Sequence, residues 1–199
     1  NGATVNQVGK IGKGYNFLPD ESRINLPSSL NIYPTTNELS FSGWFKTEIG
    51  STWRSIISYS APGFTAITVG TDTGTGNRLR AATGTSWSYS ALLNNPNGKS
   101  ITDNLWHHFV YVVTENYAKL YVDGVLEDSV YKSIDIPNTV SNPGLLFYIG
   151  IGYTGGGGPT SEWGNSIDEI GFWDKALTPE QVYQLYTYTA PTYTIGAEE

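Results

Sequence analysis

Cysteine and methionine are absent from this chain, and histidine occurs only twice. The missing cysteine excludes disulfide staples, zinc–thiolate centres and a thiol nucleophile, and it leaves the compartment open. Charged residues make up only 15% of the chain and are scattered, with a net charge of −7. No run of Lys or Arg occurs, so nucleic acid is not an expected partner and anionic membranes are disfavoured. No stretch is long and apolar enough for membrane insertion, and no signal peptide is legible. No Asn-x-Ser/Thr sequon is present either. The chain opens on Asn1 without any Met, which reads as a piece of a longer protein with other domains.

Several catalytic arrangements are missing too. His107 and His108 are neighbours on a strand, so they point to opposite faces and cannot chelate one ion together. They read as packing residues. A retaining glycosidase needs two carboxyl groups about 5–5.5 Å apart, most simply from acidic residues at i and i+2 of a strand. No such pair exists in the chain, and no Gly-x-Ser-x-Gly elbow. The run Gly155 to Gly158 lacks the following Lys-Ser/Thr and the helix of a phosphate-binding loop. No enzyme is expected.

What remains is rich in aromatics, glycine and proline, with 14%, 23 and 10 respectively. At 199 residues that mix suits one large all-β domain with many loops. The segment Asn104 to Asp128 reads as three consecutive antiparallel strands. Trp106 to Thr114 is dense in aromatic and β-branched residues. After Glu115-Asn116-Tyr117, Leu120 and Val122 alternate with Lys119, Tyr121 and Asp123. Asp123-Gly124 is a tight-turn dipeptide, and Val125 and Leu126 open the next strand. In Leu39 to Thr47, Leu39, Phe41, Gly43 and Phe45 share one side, and Ser40, Ser42, Trp44 and Lys46 the other. Further strands are predicted at Arg54 to Ser60, Phe64 to Gly70, Leu145 to Ile151 and Ser166 to Asp174. Arg78 to Ala82 and Thr85 to Tyr89 are predicted to pair as a hairpin. Thr178-Pro179-Glu180-Gln181 predicts a helix start with a capping box, and Val182, Leu185 and Tyr186 pin that helix to the sheet.

Three blocks carry a resemblance. WHHFVYVV followed by KLYVDGVL is similar to the signature hairpin of laminin G-like domains in the concanavalin A-like lectin/glucanase superfamily. SIDEIGFWDKALTPEQVYQLY, Ser166 to Tyr186, resembles that family's closing strand and helix. GKIGKGYNFLPDES, Gly9 to Ser22, resembles its opening strand and turn. The expected fold is a two-sheet antiparallel jelly-roll β-sandwich with one short C-terminal helix, over residues 1–188, followed by a tail or linker at 189–199. The resemblance also implies a calcium ion, Ca2+, with Asp20 and Asp168 at the matching positions. The alternative for these two is an Asx-type turn and a backbone hydrogen bond.

Sugars are held by an aromatic face beneath the ring, with amides and charged groups on the hydroxyls. The candidates near loop-like sequence are Trp53, Trp87, Tyr89, Tyr153 and Trp163, with Asn77 and Arg78 among the polar groups beside them. For each aromatic the alternative is core packing; Trp44, Trp106 and Trp173 are read as structural. The expected function is non-catalytic recognition of a glycan or cell-surface polysaccharide, on an extracellular, cell-surface or virion-surface protein. The alternative is a structural or adhesive spacer that contacts protein. A glycoside hydrolase or lyase ranks below both.

Overall fold

A computed structural model describes residues 3–17, 22–27, 37–48, 54–61, 64–71, 78–85, 88–95, 100–136, 145–154, 158–159 and 162–188. The strands are β1 (Thr4–Val8), β2 (Lys13–Asn16), β3 (Ile24–Asn25), β4 (Glu38–Lys46), β5 (Arg54–Ala61), β6 (Phe64–Thr71), β7 (Leu79–Thr85) and β8 (Ser88–Asn94). They continue with β9 (Trp106–Thr114), β10 (Tyr117–Val122), β11 (Val125–Tyr131), β12 (Leu146–Ile149), β13 (Tyr153–Thr154), β14 (Gly158–Pro159) and β15 (Ser166–Trp173), and the helix is α1 (Pro179–Thr187). One antiparallel sheet runs β1-β2-β15-β4-β9-β10-β11, and a second runs β3-β12-β5-β6-β7-β8. The two form a jelly-roll sandwich, as the resemblance to laminin G-like domains implies.

The core lies between the sheets. Leu39, Phe41 and Phe45 of β4 and Phe109, Tyr111 and Val113 of β9 face Ile57, Tyr59, Ile67, Val69 and Phe147 of the other layer. Gly43 stands opposite Phe109 because a methyl group there would strike the Phe109 ring and Ile170. β9 is nevertheless buried along nearly its whole length. Its outward residues Val110 and Val112, with Tyr121, form a second apolar cluster with Leu177 and Val182 of the helix segment. The helix therefore covers the outer face of the seven-stranded sheet. Its start is built as the sequence predicts: Gln181 N donates to Thr178 Oγ1, and Thr178 N donates to Gln181 Oε1.

The β10–β11 turn also follows its sequence. Asp123 and Gly124 both have positive φ, +49° and +78°, the geometry of a two-residue turn matched to strand twist. Asp123 does more than turn the chain. Its Oδ1 accepts from His108 N at 2.8 Å, and its Oδ2 pairs with His107 Nδ1 at 2.9 Å. His107 Nε2 pairs with Asp103 Oδ1 at 3.0 Å. The two histidines do lie on opposite faces, with His107 beside Phe45 and His108 against Trp44 and Tyr186.

The β7–β8 hairpin differs from expectation by more than a residue or two. β7 runs on to Thr85, and Tyr89 lies near the start of the returning strand instead of ending it. The alternation of Leu79, Ala81 and Thr83 continues inward past Ala82, with Thr83 bonded to the Tyr111 hydroxyl at 2.7 Å. That buried hydroxyl pair extends β7 beyond the apolar residues.

Candidate functional site

Strand alternation sets what the six-stranded sheet shows to its outer side. In β7, Leu79 and Ala81 enter the core, so Arg80 and Ala82 face out. In β8, Ala91 and Leu93 enter, so Ser90, Leu92 and Asn94 face out. A register shift between Thr83 and Gly84 sets Tyr89 opposite Gly84. Tyr89 is 40% exposed, and the Arg80 guanidinium lies 5.5 Å from the ring centre. The result is a solvent-facing aromatic ring with a cation resting on it, bordered by exposed Leu92.

Arg78 is half-buried at the start of β7, whereas Tyr89 sits near its far end, so the hairpin does not bring those two candidates together. Arg80 bridges part of that span. Sequence reasoning missed it, although its place two residues beyond Arg78 on one strand signals a shared face. The centre of the sheet is different in kind. Ser58 and Ser60 of β5 and Thr68 of β6 are hydroxyl-bearing but fully buried. Ser55 pairs with Thr68 at 3.3 Å, Ser58 with Ser60 at 3.2 Å, and Ser58 donates to Ile151 O at 2.7 Å. These hydroxyls satisfy each other. β13, which carries Tyr153, lies close by β5 and β6.

Trp163 requires a correction. It is 0% exposed and sits in the core, edge-on to Phe45 at 5.7 Å. Its indole Nε1 donates to Ser166 O at 3.3 Å and its backbone N to Gly150 O at 2.8 Å. Arg54 Nη1 donates to the carbonyls of Glu162 and Trp163, pinning the segment that delivers the ring. No sugar reaches this indole. Trp53, Asn77 and Trp87 lie outside the described residues, as does Asp20.

Asp168 is 5% exposed. Its Oδ2 accepts from Ile11 N at 3.0 Å and its Oδ1 from Glu169 N at 2.9 Å. It thus staples the Gly9–Gly12 turn to β15, and a methyl group on Gly9 would strike its Oδ2. These bonds account for the burial of Asp168. A carboxylate has about four lone-pair sites, so two remain, and Asp168 fits as one ligand of a cation. Among the described residues, no three His, Asp or Glu side chains gather as a metal-binding group.

The sequence profile of the Laminin_G_3 family, of the concanavalin A-like lectin/glucanases superfamily, matches residues 19–183. The chain belongs to this family. Solved structures are similar to this laminin G-like domain across most of its length. Domain 4 of AbnA, an extracellular arabinanase from Geobacillus stearothermophilus solved with arabinotriose, is 21% identical with a TM-score of 0.66. That match covers 94% of this chain and 82% of the other. The binding domain of Paraclostridial Mosquitocidal Protein 1 is 15% identical with a TM-score of 0.67, over 94% of this chain and 45% of the other. A Ruminococcus gnavus sialidase module, CBM40, solved with α2,3 sialyllactose, is 10% identical with a TM-score of 0.61, over 75% and 83%. At these identities the likeness establishes a shared fold. None of the described helices of the laminin G-like domain is long and apolar enough to cross a membrane.

Proposed function

We propose that this laminin G-like domain is a non-catalytic carbohydrate-binding module of a secreted or surface protein, acting beside other domains. The observation that carries the reading is the exposed Tyr89 ring with Arg80 against it on an open strand pair. A sugar ring stacks on such a face while a guanidinium holds its hydroxyls or carboxylate. The solved relatives of the same fold that hold arabinotriose and sialyllactose support this class of ligand. The non-catalytic part is supported by two occupied acids among the described residues: Asp168 holds two backbone donors, and Asp123 holds His107 and the His108 backbone.

The test is a glycan array with Tyr89→Ala and Arg80→Ala. Each is expected to weaken the best signal by about tenfold or more, the scale of one lost stacking or charged contact. The melting temperature should change little. Retained binding in both variants sinks the reading, and release of reducing ends from a bound polysaccharide sinks its non-catalytic part. A calcium ion held by Asp168 and Asp20 belongs to the proposal as well. EDTA is then expected to lower the melting temperature and added Ca2+ to restore it, because a ligand of the native state stabilises by mass action. An unmoved midpoint removes the ion.

A second reading, contact with protein, is favoured by β11. This edge strand of the seven-stranded sheet exposes Val125, Leu126 and Tyr131. A null array together with self-association that is lost in Val125→Lys would favour it.

A further inference from the structure

The opposite side of the sandwich holds a recess between α1 and the outer face of the seven-stranded sheet. Its volume is about 170 Å³, and its walls include Ser42, Trp44, His108, Glu169, Gly171 and Trp173. That is far more than the ~10–15 Å³ a single water needs, so it is more than a packing gap. Three independent features converge on it. The first is a polar atom without a partner: His108 is 2% exposed, and its Nδ1 makes no hydrogen bond. Buried polar atoms left unmatched are rare in folded proteins, and this one belongs to a residue in the wall of the recess. The second is backbone strain. β15 bulges between Asp168 and Gly171, and there Glu169 adopts φ +49°, unusual for a residue with a side chain. Bulges of this kind re-aim side chains, and Glu169 lines the recess. The third is the missing side chain of Gly171: a methyl group there would strike the Trp173 ring, so glycine lets the indole lie across the strand as a wall.

The groups present select the ligand. Glu169 accepts hydrogen bonds, neutral imidazole offers one donor and one acceptor, and Ser42 offers either. Burial, with Lys10 adding to it, lowers the His108 pKa to about 4, so the ring is neutral at ordinary pH. Lys10 Nζ already sits 4.3 Å from the Trp44 ring centre, the place a cationic ligand would take. Glu169 and Lys10 set one charge of each sign beside the recess, so neither sign of ligand charge is favoured over a neutral ligand. We infer that this recess is a second ligand site, taking the hydroxyl-bearing end of a single neutral sugar residue. The site lies on the other sheet from Tyr89 and stands or falls without it.

The probes are the methyl glycosides of glucose, galactose, mannose, xylose and arabinose, each titrated to about 50 mM, enough to saturate a millimolar site. The reporter is the His108 imidazole resonance in nitrogen-15 spectra. At least one probe is expected to give a saturable shift that weakens about tenfold or more in Glu169→Gln, the scale of one lost bond to a charged group, and persists in Tyr89→Ala. Glu169 is exposed, so Glu169→Gln is expected to fold, and its spectrum checks this directly. The inference is overturned by no saturable shift with any probe, by a shift indifferent to Glu169→Gln, or by a shift that requires Tyr89. The array signal tests the other sheet, so each reading can fail while the other survives.

Discussion

Trp163→Ala is expected to lower the unfolding free energy by about 3–5 kcal/mol, the range for emptying a fully buried large aromatic site. The argument is geometric. The indole is enclosed between layers, edge-on to Phe45, and its nitrogen is bonded to Ser166 O. Truncation removes the contacts, leaves a cavity and frees the Ser166 carbonyl. The segment around it is held by Gly150 O and Arg54 and has little freedom to collapse inward. Urea unfolding provides the measurement. A change under 1 kcal/mol, on a scale where surface substitutions stay within about 0.5, would mean the ring is not in the core. Any loss of glycan binding in this variant should track loss of fold, the reverse of Tyr89→Ala.

The second large effect is at Asp123. Asp123→Ala is expected to cost about 2–6 kcal/mol, because it removes the partner of two buried groups, His107 Nδ1 and the His108 backbone N–H, at about 1–3 kcal/mol each. His107 is 3% exposed, and only Asp103 would remain to it. The His108 backbone N–H would lose its acceptor as well. The pH dependence follows with a definite sign. Burial alone would lower the His107 pKa, but its bonds to Asp123 and Asp103 outweigh that and leave it raised above 6.5. Its stabilisation is therefore complete below pH 6.5 and lost as pH rises through the folded value. His108 runs the other way. The unfolded chain takes up a proton near pH 6.5, whereas the folded protein resists until about 4, so stability drains across that interval. At about 1.36 kcal/mol per unit, the loss is at most about 3 kcal/mol. Urea midpoints across pH should peak near 6.5. Asp123→Ala should flatten the alkaline side, and His108→Phe the stretch from 6.5 down to 4. A profile unaffected by either substitution would contradict the clamp.

The fold was readable because its signals are local. Phe41 and Phe45 alternate with Ser42 and Trp44 over nine residues, and Asp123-Gly124 permits only a narrow set of turns. Thr178 and Gln181 carry their cap within one helical turn. The β7–β8 boundary is not legible in the sequence because Thr83 is polar and its inward partner, the Tyr111 hydroxyl, is 28 residues away. Local propensity has no access to such a bond.

The candidate site was legible only in part. The sequence points to Tyr89, which is exposed, but to Arg78 and not to Arg80, the residue that rests on the Tyr89 ring. Trp163 sits among glycines and polar residues in the sequence, a setting that resembles a loop. Its burial depends on Phe45 and Gly150, which approach it only once the layers close. The recess beside Trp44 needed still more: a bulge in β15, a glycine beneath Trp173 and a helix laid across β9.

From the order of residues alone came the class of fold, its central hairpin, its closing helix and the opposed directions of His107 and His108. The hairpin, the helix and the opposed histidines rest on periods of two and 3.6 residues and on turn chemistry, which neighbours in the chain determine between themselves; the class of fold rests also on the resemblance of three blocks to laminin G-like domains. Which aromatics meet solvent, which acids are already engaged and where a cavity survives were decided by the packing of one sheet on the other and of α1 on β9. Burial is a property of surfaces brought together from distant parts of the chain, and no short window of sequence contains both of them.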